Sequence, residues 1–139
     1  METLYYTKSL NDSLLISQNI RWLTLDDYDI FCKHLKLCRQ QPLQKEKWEE
    51  AYANDIVYCG LFDCENMISR ACVEKYSQNA WEISDVRTAH QYRENGYAHQ
   101  VCLFILKYIL QQGKTATIRT EETNHAMKKV ISDLNFSIL

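Results

Sequence analysis

The spacing of apolar and polar positions changes several times along the 139 residues, and each change marks a new element. Near the start, LYYT at 4–7 and LLIS at 14–17 are rich in strand-forming side chains. Asn11 and Asp12 between them supply turn chemistry, so a short hairpin is predicted. A further strand is predicted over 20–23. Thr24 has the character of a helix N-cap, with Asp26 and Asp27 in a first turn where acidic groups complement the dipole. Tyr28, Phe31, Leu35 and Cys38 then recur at helical spacing. Beyond Pro42, KEKWEEAY at 45–52 predicts a second helix, with charged residues outward and Trp48 and Tyr52 four apart as a packing pair.

From Asp55 the period shortens. Strands are predicted over 55–62, 67–75 and 80–88, separated by the turns DCEN at 63–66 and YSQN at 76–79, which makes an antiparallel meander. The period lengthens again over 97–110, a strongly apolar helical stretch that Gly113 closes. A short strand at 115–119 follows. A final helix over 124–134 turns Ala126, Val130, Ile131 and Leu134 inward. The strand–helix–strand piece from Trp81 to Arg119 reads as a crossover between parallel strands. The predicted class is α+β, a mixed, mostly antiparallel sheet with helices on both faces.

Composition narrows the class without changing that picture. The chain is 46% hydrophobic and 24% charged, enough for one domain with a core of its own. A net charge of -2 gives no electrostatic reason to expect nucleic acid or an anionic membrane as partner. No apolar run suits a bilayer span, and the N-terminus lacks a signal-peptide layout, so the expected setting is cytoplasmic. Six cysteines show no C-x-x-C pair and no nearby histidine at finger spacing, so buried, reduced thiols and no metal are expected.

Only three glycines occur, and one of them, Gly96, sits in Arg93-Glu94-Asn95-Gly96-Tyr97-Ala98, between a predicted strand and the long apolar helix. At such a junction several main-chain N–H groups lack intrahelical partners and point outward with the positive end of the dipole. That suits phosphate oxygens. Gly96 removes a Cβ from the approach, Ala98 keeps the first turn slim, and Arg93 adds a cation.

With this context the sequence resembles the GNAT superfamily of acyl-CoA-dependent N-acyltransferases. That family carries [Q/R]-x-x-G-x-[G/A] between a strand and a long helix, matched by Arg93, Gly96 and Ala98. Val86-Arg87-Thr88 resembles the end of its splayed strand. The stretch from Asn124 to Phe136 is similar to its helix signature, an Asn followed twelve positions later by the Phe of a Gly-Phe pair. The resemblance spans about 20–136, with 1–19 as an N-terminal strand extension of a single domain.

The resemblance implies a role for each matching position. The amides of Arg93, Glu94, Asn95, Gly96, Tyr97 and Ala98 would hold the pyrophosphate of acetyl-CoA. Val86 and Thr88 would line the pantetheine between splayed strands, and Asn124 would hydrogen-bond the pantetheine or the thioester end. The reaction would be direct attack by a primary amine of a small molecule or peptide on the thioester carbonyl, which the Val86 N–H would polarise. Glu82, eleven residues before Arg93 where some relatives keep a catalytic glutamate, is the candidate base. By the two-residue period Glu82, Ser84 and Val86 share a face; His90 reads as a surface side chain in the loop.

Two positions depart from the family. The tyrosine that many relatives use to protonate the thiolate falls at Ile131, leaving water, Ser132 or Tyr92 for that task, or a CoA-binding module without turnover. The Gly of the Gly-Phe pair is Asn135, a residue that also tolerates a left-handed helix cap. The short ending after Phe136 leaves a sheet edge that the N-terminal segment, or a partner chain in a homodimer, is expected to fill.

Overall fold

The computed structural model describes residues 1–10, 16–17 and 19–138. Along the chain come β1 (Glu2–Thr7), β2 (Ile20–Trp22), α1 (Tyr28–Leu37), α2 (Lys45–Ala53), β3 (Ile56–Asp63), β4 (Asn66–Glu74), β5 (Ala80–Thr88), α3 (Tyr97–Gln111), β6 (Thr115–Glu121), α4 (His125–Asp133) and β7 (Ser137–Ile138). The strands join in one sheet in the order β2-β3-β4-β5-β6-β1-β7. Neighbours pair antiparallel except β5 and β6, which α3 connects and which run parallel. This is the predicted mixed α+β sheet.

The helices cover it on both faces. α3 buries Val101, Cys102, Leu103, Ile105, Leu106 and Ile109, and these pack with Ile83, Ile118 and the α4 residues Val130 and Ile131. Removing one such aliphatic side chain from water is worth about 1.5–3 kcal/mol, so this helix anchors the fold. Against the opposite face, Phe31, Leu35 and the fully buried Trp48 form a second cluster with Leu23 and Met67. Trp48 and Tyr52 pack with ring centroids 4.7 Å apart, as their spacing predicts.

The N-terminus departs from its predicted hairpin. β1 lies between β6 and β7, with Tyr5 opposite Ile118 on one side and Ile138 on the other. Ile16 and Ser17 lie outside any strand, and the remainder of the hairpin, including Asn11 and Asp12, lies outside the described residues. Of the two expected sources for the missing edge, the N-terminal segment is the one seen. Thr24 precedes a 3-10 turn, Leu25–Asp27, and its N–H donates to Asp27 Oδ2 at 2.7 Å.

Two helix ends close as the sequence suggests. Gly113 (φ 74) and Asn135 (φ 64) take left-handed conformations just past α3 and α4. Asn135 N–H donates to Ser132 and Phe136 N–H to Ile131, the paired bonds of a Schellman cap. Asn135 thus takes the left-handed cap conformation expected of it.

One irregularity positions the site. β5 pairs with β6 only from Ala80 opposite Thr115 to Ile83 opposite Ile118, yet β5 runs on to Thr88 and β6 to Glu121. The strands part after Ile83. On the other side of β5, Arg87 faces Arg70 but Ser84 faces Cys72, so β5 carries an extra residue. Asp85, inside this bulge, has φ 50. The bulge breaks the two-residue alternation. Trp81, Ile83 and Val86 all pack on the α3 cluster, whereas Ser84 meets Cys72 with 3.4 Å between Oγ and Sγ. The expectation that Glu82, Ser84 and Val86 share a face is corrected accordingly.

Candidate functional site

The end of β5, the start of α3 and one side of α4 enclose a cleft of about 1120 Å³. Its wall contains Val86, Thr88, Arg93, Glu94, Asn95, Gly96, Tyr97, Ala98 and Asn124. The fold thus gathers these nine sequence-predicted positions, up to 38 residues apart, around one space. A second hollow of about 990 Å³, between α1 and the β3–β4 turn, contains none of them.

The turn before α3 is held by side chains, which leaves its main chain available. Asn95 Nδ2 donates to the carbonyls of Tyr92 and Arg93 at 3.0 and 3.1 Å. Arg93 Nε donates to the Thr88 carbonyl at 3.3 Å, tying the turn to the end of β5. Among the described residues, none accepts a hydrogen bond from the main-chain N–H of Glu94, Asn95, Gly96, Tyr97, Ala98 or His99. Glu94 (φ 67) and Gly96 (φ 79) are both left-handed, a backbone form that turns successive N–H groups toward one concavity. The concavity faces the positive end of a helix of 15 residues. A Cβ built on Gly96 would meet nothing within 4 Å, so glycine is required for its φ, and the space beside it is open. This donor set fits a pyrophosphate.

Asn124 caps α4, its side-chain oxygen accepting from Met127 N–H at 3.1 Å. The group it has left to offer is its amide NH2. His90, exposed in the 3-10 turn His90–Tyr92, also borders the cleft. Tyr92 is there too, its hydroxyl donating to Asp63 Oδ2 at 3.4 Å. Ile131 is buried in the core and Ser132 is absent from the wall.

Glu82 stands apart from this wall. It lies where β5 and β6 last pair, and Oε1 accepts from Arg119 Nε at 3.0 Å and from Thr117 Oγ1 at 3.5 Å. Tyr76, which the sequence did not single out, places its hydroxyl 3.2 Å from Thr117 Oγ1. Ser17 and Gln100 were missed as well. Gln100 Oε1 accepts from Ser17 N–H at 2.6 Å, which holds Ser17 at the cleft wall. Lys129 and Asp133 complete the wall from α4. They share a helical stripe with Ala126 and Val130, so their spacing did carry a signal, absorbed there into the core face.

Comparison with known proteins agrees with this geometry. The family described as FR47-like protein matches residues 58–139, from β3 to the end. A GNAT-family protein from Novosphingobium aromaticivorans superposes with a TM-score of 0.78 at 15% identity, covering 99% of this chain and 59% of its own. An acetyltransferase of the GNAT family from Colwellia psychrerythraea gives 0.78 at 17% identity, covering 99% and 52%. The ribosomal-protein-S18-alanine N-acetyltransferase of Escherichia coli gives 0.70 at 13% identity, covering 85% and 76%. The chain thus spans little more than half the length of the first two. No curated protein sequence matches it. With the fold, the parted strands and the family match in agreement, the chain belongs to the FR47-like family of the GNAT superfamily.

Proposed function

We propose that this protein is an N-acyltransferase that binds acetyl-CoA in the cleft and passes the acyl group to a primary amine. The observation that carries the reading is the row of amides from Glu94 to His99, unpaired among the described residues and opening on the cleft at the positive end of α3. Those amides and the Arg93 guanidinium would hold the pyrophosphate. Val86, Thr88 and the Asn124 NH2 would hold the pantetheine between the end of β5 and α4. The coenzyme supplies an activated thioester when bound.

The chain's own residues have three tasks. Val86 N–H polarises the acyl carbonyl as the amine nitrogen forms its bond to carbon and the carbon–sulfur bond breaks. Glu82, beyond the cleft wall at the seam of β5 and β6, takes the proton released by the amine, through a water. The departing thiolate is protonated by water or by Tyr92, whose side chain borders the cleft. The acceptor is a small molecule or a peptide; the name of the Escherichia coli neighbour places an alanine of a ribosomal protein in that role for its own enzyme.

A second reading, coenzyme binding without turnover, is favoured by Ile131 at the position of the family's acid and by Glu82 being paired with Arg119. One experiment separates them. Calorimetry with CoA should show saturable binding, and acetyl-CoA with a panel of amines should then release free thiol. Binding without thiol release supports the second reading, and no binding removes both.

A further inference from the structure

Arg70 on β4 is charged yet only 2% exposed. A buried guanidinium persists where its donors are paired, and here they are. Nε and Nη2 fork onto the Asp85 carboxylate at 3.2 and 2.9 Å, and Nη1 donates to Gln40 Oε1 at 2.8 Å. The guanidinium carbon lies 5.6 Å from the centroid of the Phe31 ring. Asp85 also accepts from the Tyr58 hydroxyl, which burial keeps protonated by pushing its pKa well up. Donors from β3 and β4 therefore grip one carboxylate, on the one residue of β5 with a positive φ.

Solvation alone does not account for this. The Asp85 side chain is 41% exposed and has water available to it. What a planar fork adds is orientation: it accepts a carboxylate in one pose. That carboxylate is a single carbon from Cα, so its pose constrains the backbone of Asp85. The next residue is Val86, which the bulge turns onto the α3 face and into the cleft wall.

We infer that Arg70 is a positioning residue: by clamping Asp85 it holds the left-handed bulge that directs Val86 into the cleft. That this serves the coenzyme rests on the function proposed above; that it sets the bulge does not.

The test is Arg70→Met, which leaves Asp85 to solvent, alone and combined with Asp85→Gly. Glycine occupies the left-handed region without a clamp. Arg70→Met is expected to remain folded, to shift the Val86 amide resonance, to lose the strong intraresidue HN–Hα contact that marks positive φ at residue 85, and to bind CoA about tenfold more weakly. Adding Asp85→Gly should return the Val86 resonance and the affinity to wild-type values, a rescue that a purely stabilising role for Arg70 does not predict. Should Arg70→Met fail to fold, Arg70→Lys replaces it, keeping the charge and losing the fork, with the same expectations. An unchanged φ at residue 85, or a double variant as impaired as the single, overturns the inference. If the wild-type protein binds no CoA, the resonance and φ measurements still decide the clamp, and only the coenzyme reading is lost.

Discussion

Glu82 holds Arg119 across the seam at which β5 and β6 part, Oε1 lying 3.0 Å from Nε. Arg119 is half exposed, so solvent screens the pair and it adds little to stability. A change in rate on altering either residue therefore reports chemistry rather than unfolding. Glu82→Gln keeps an oxygen for Arg119 and removes the base. With an amine acceptor, turnover is expected to fall about a hundredfold, with KM for acetyl-CoA little changed. Arg119→Met frees the carboxylate and should leave the rate the same or higher. Wild-type turnover in Glu82→Gln assigns the proton transfer to another group.

Gly96 offers a way to separate conformation from ligand contact. Its φ of 79 penalises most side chains, while the space at its Cβ is empty. Gly96→Ala should thus cost about 1–2 kcal/mol through the backbone alone. Gly96→Asn, which tolerates the left-handed region, should cost less. Gly96→Glu places a negative charge at the cradle and should abolish CoA binding with the fold retained. Thermal melts and calorimetry on the three variants check this. Coenzyme affinity that follows stability across the series, rather than bulk and charge, removes the cradle.

These sites differed in how readable they were. The start of α3 was legible because a scarce glycine, a small residue two positions on and a long apolar helix all lie within a few residues of one another. The meander was legible from its turns. The place of β1 was not: alternating side chains say that a segment is a strand, and nothing in them names a partner more than a hundred residues away. The bulge at Asp85 was hidden for a related reason. One extra residue leaves the composition of a strand untouched, yet reverses every later side chain, so alternation alone puts Glu82 and Val86 on one face where the structure does not. The Glu82–Arg119 pair needs the parallel register of β5 and β6, which only the folded chain supplies.

His34 gives the fold a pH dependence of known sign. It is buried, its Nδ1 is 2.9 Å from the Met67 carbonyl, and Nε2 is 3.4 Å from Cys38 Sγ. Burial lowers its pKa from 6.5 to about 4; Arg70 pushes the same way, while the Met67 carbonyl and Asp85 oppose. The unfolded chain therefore takes up a proton near 6.5 that the folded chain refuses. The stabilisation is complete above 6.5 and is lost as pH falls toward 4, on the order of 2 kcal/mol between about pH 7 and about pH 5. Urea unfolding across that range should show the loss. In His34→Asn, which can still donate to the Met67 carbonyl, the slope should flatten whatever the absolute stability, and parallel slopes would assign the acid sensitivity elsewhere.

Asn124 carries two functions that substitutions can divide. Its oxygen caps α4 through Met127 N–H, and its NH2 is the part left for the cleft. Asn124→Ser keeps a capping oxygen and loses the amide donor, so stability should stay within a few tenths of a kcal/mol while CoA affinity falls. Asn124→Ala loses both and should be less stable by about 1 kcal/mol, with an affinity no lower than that of the serine variant. The comparison reads the donor directly, because the two variants share its loss and differ only in the cap. If the serine variant binds CoA as the wild type does, Asn124 serves the helix alone, and the pantetheine contact must come from Val86 and Thr88.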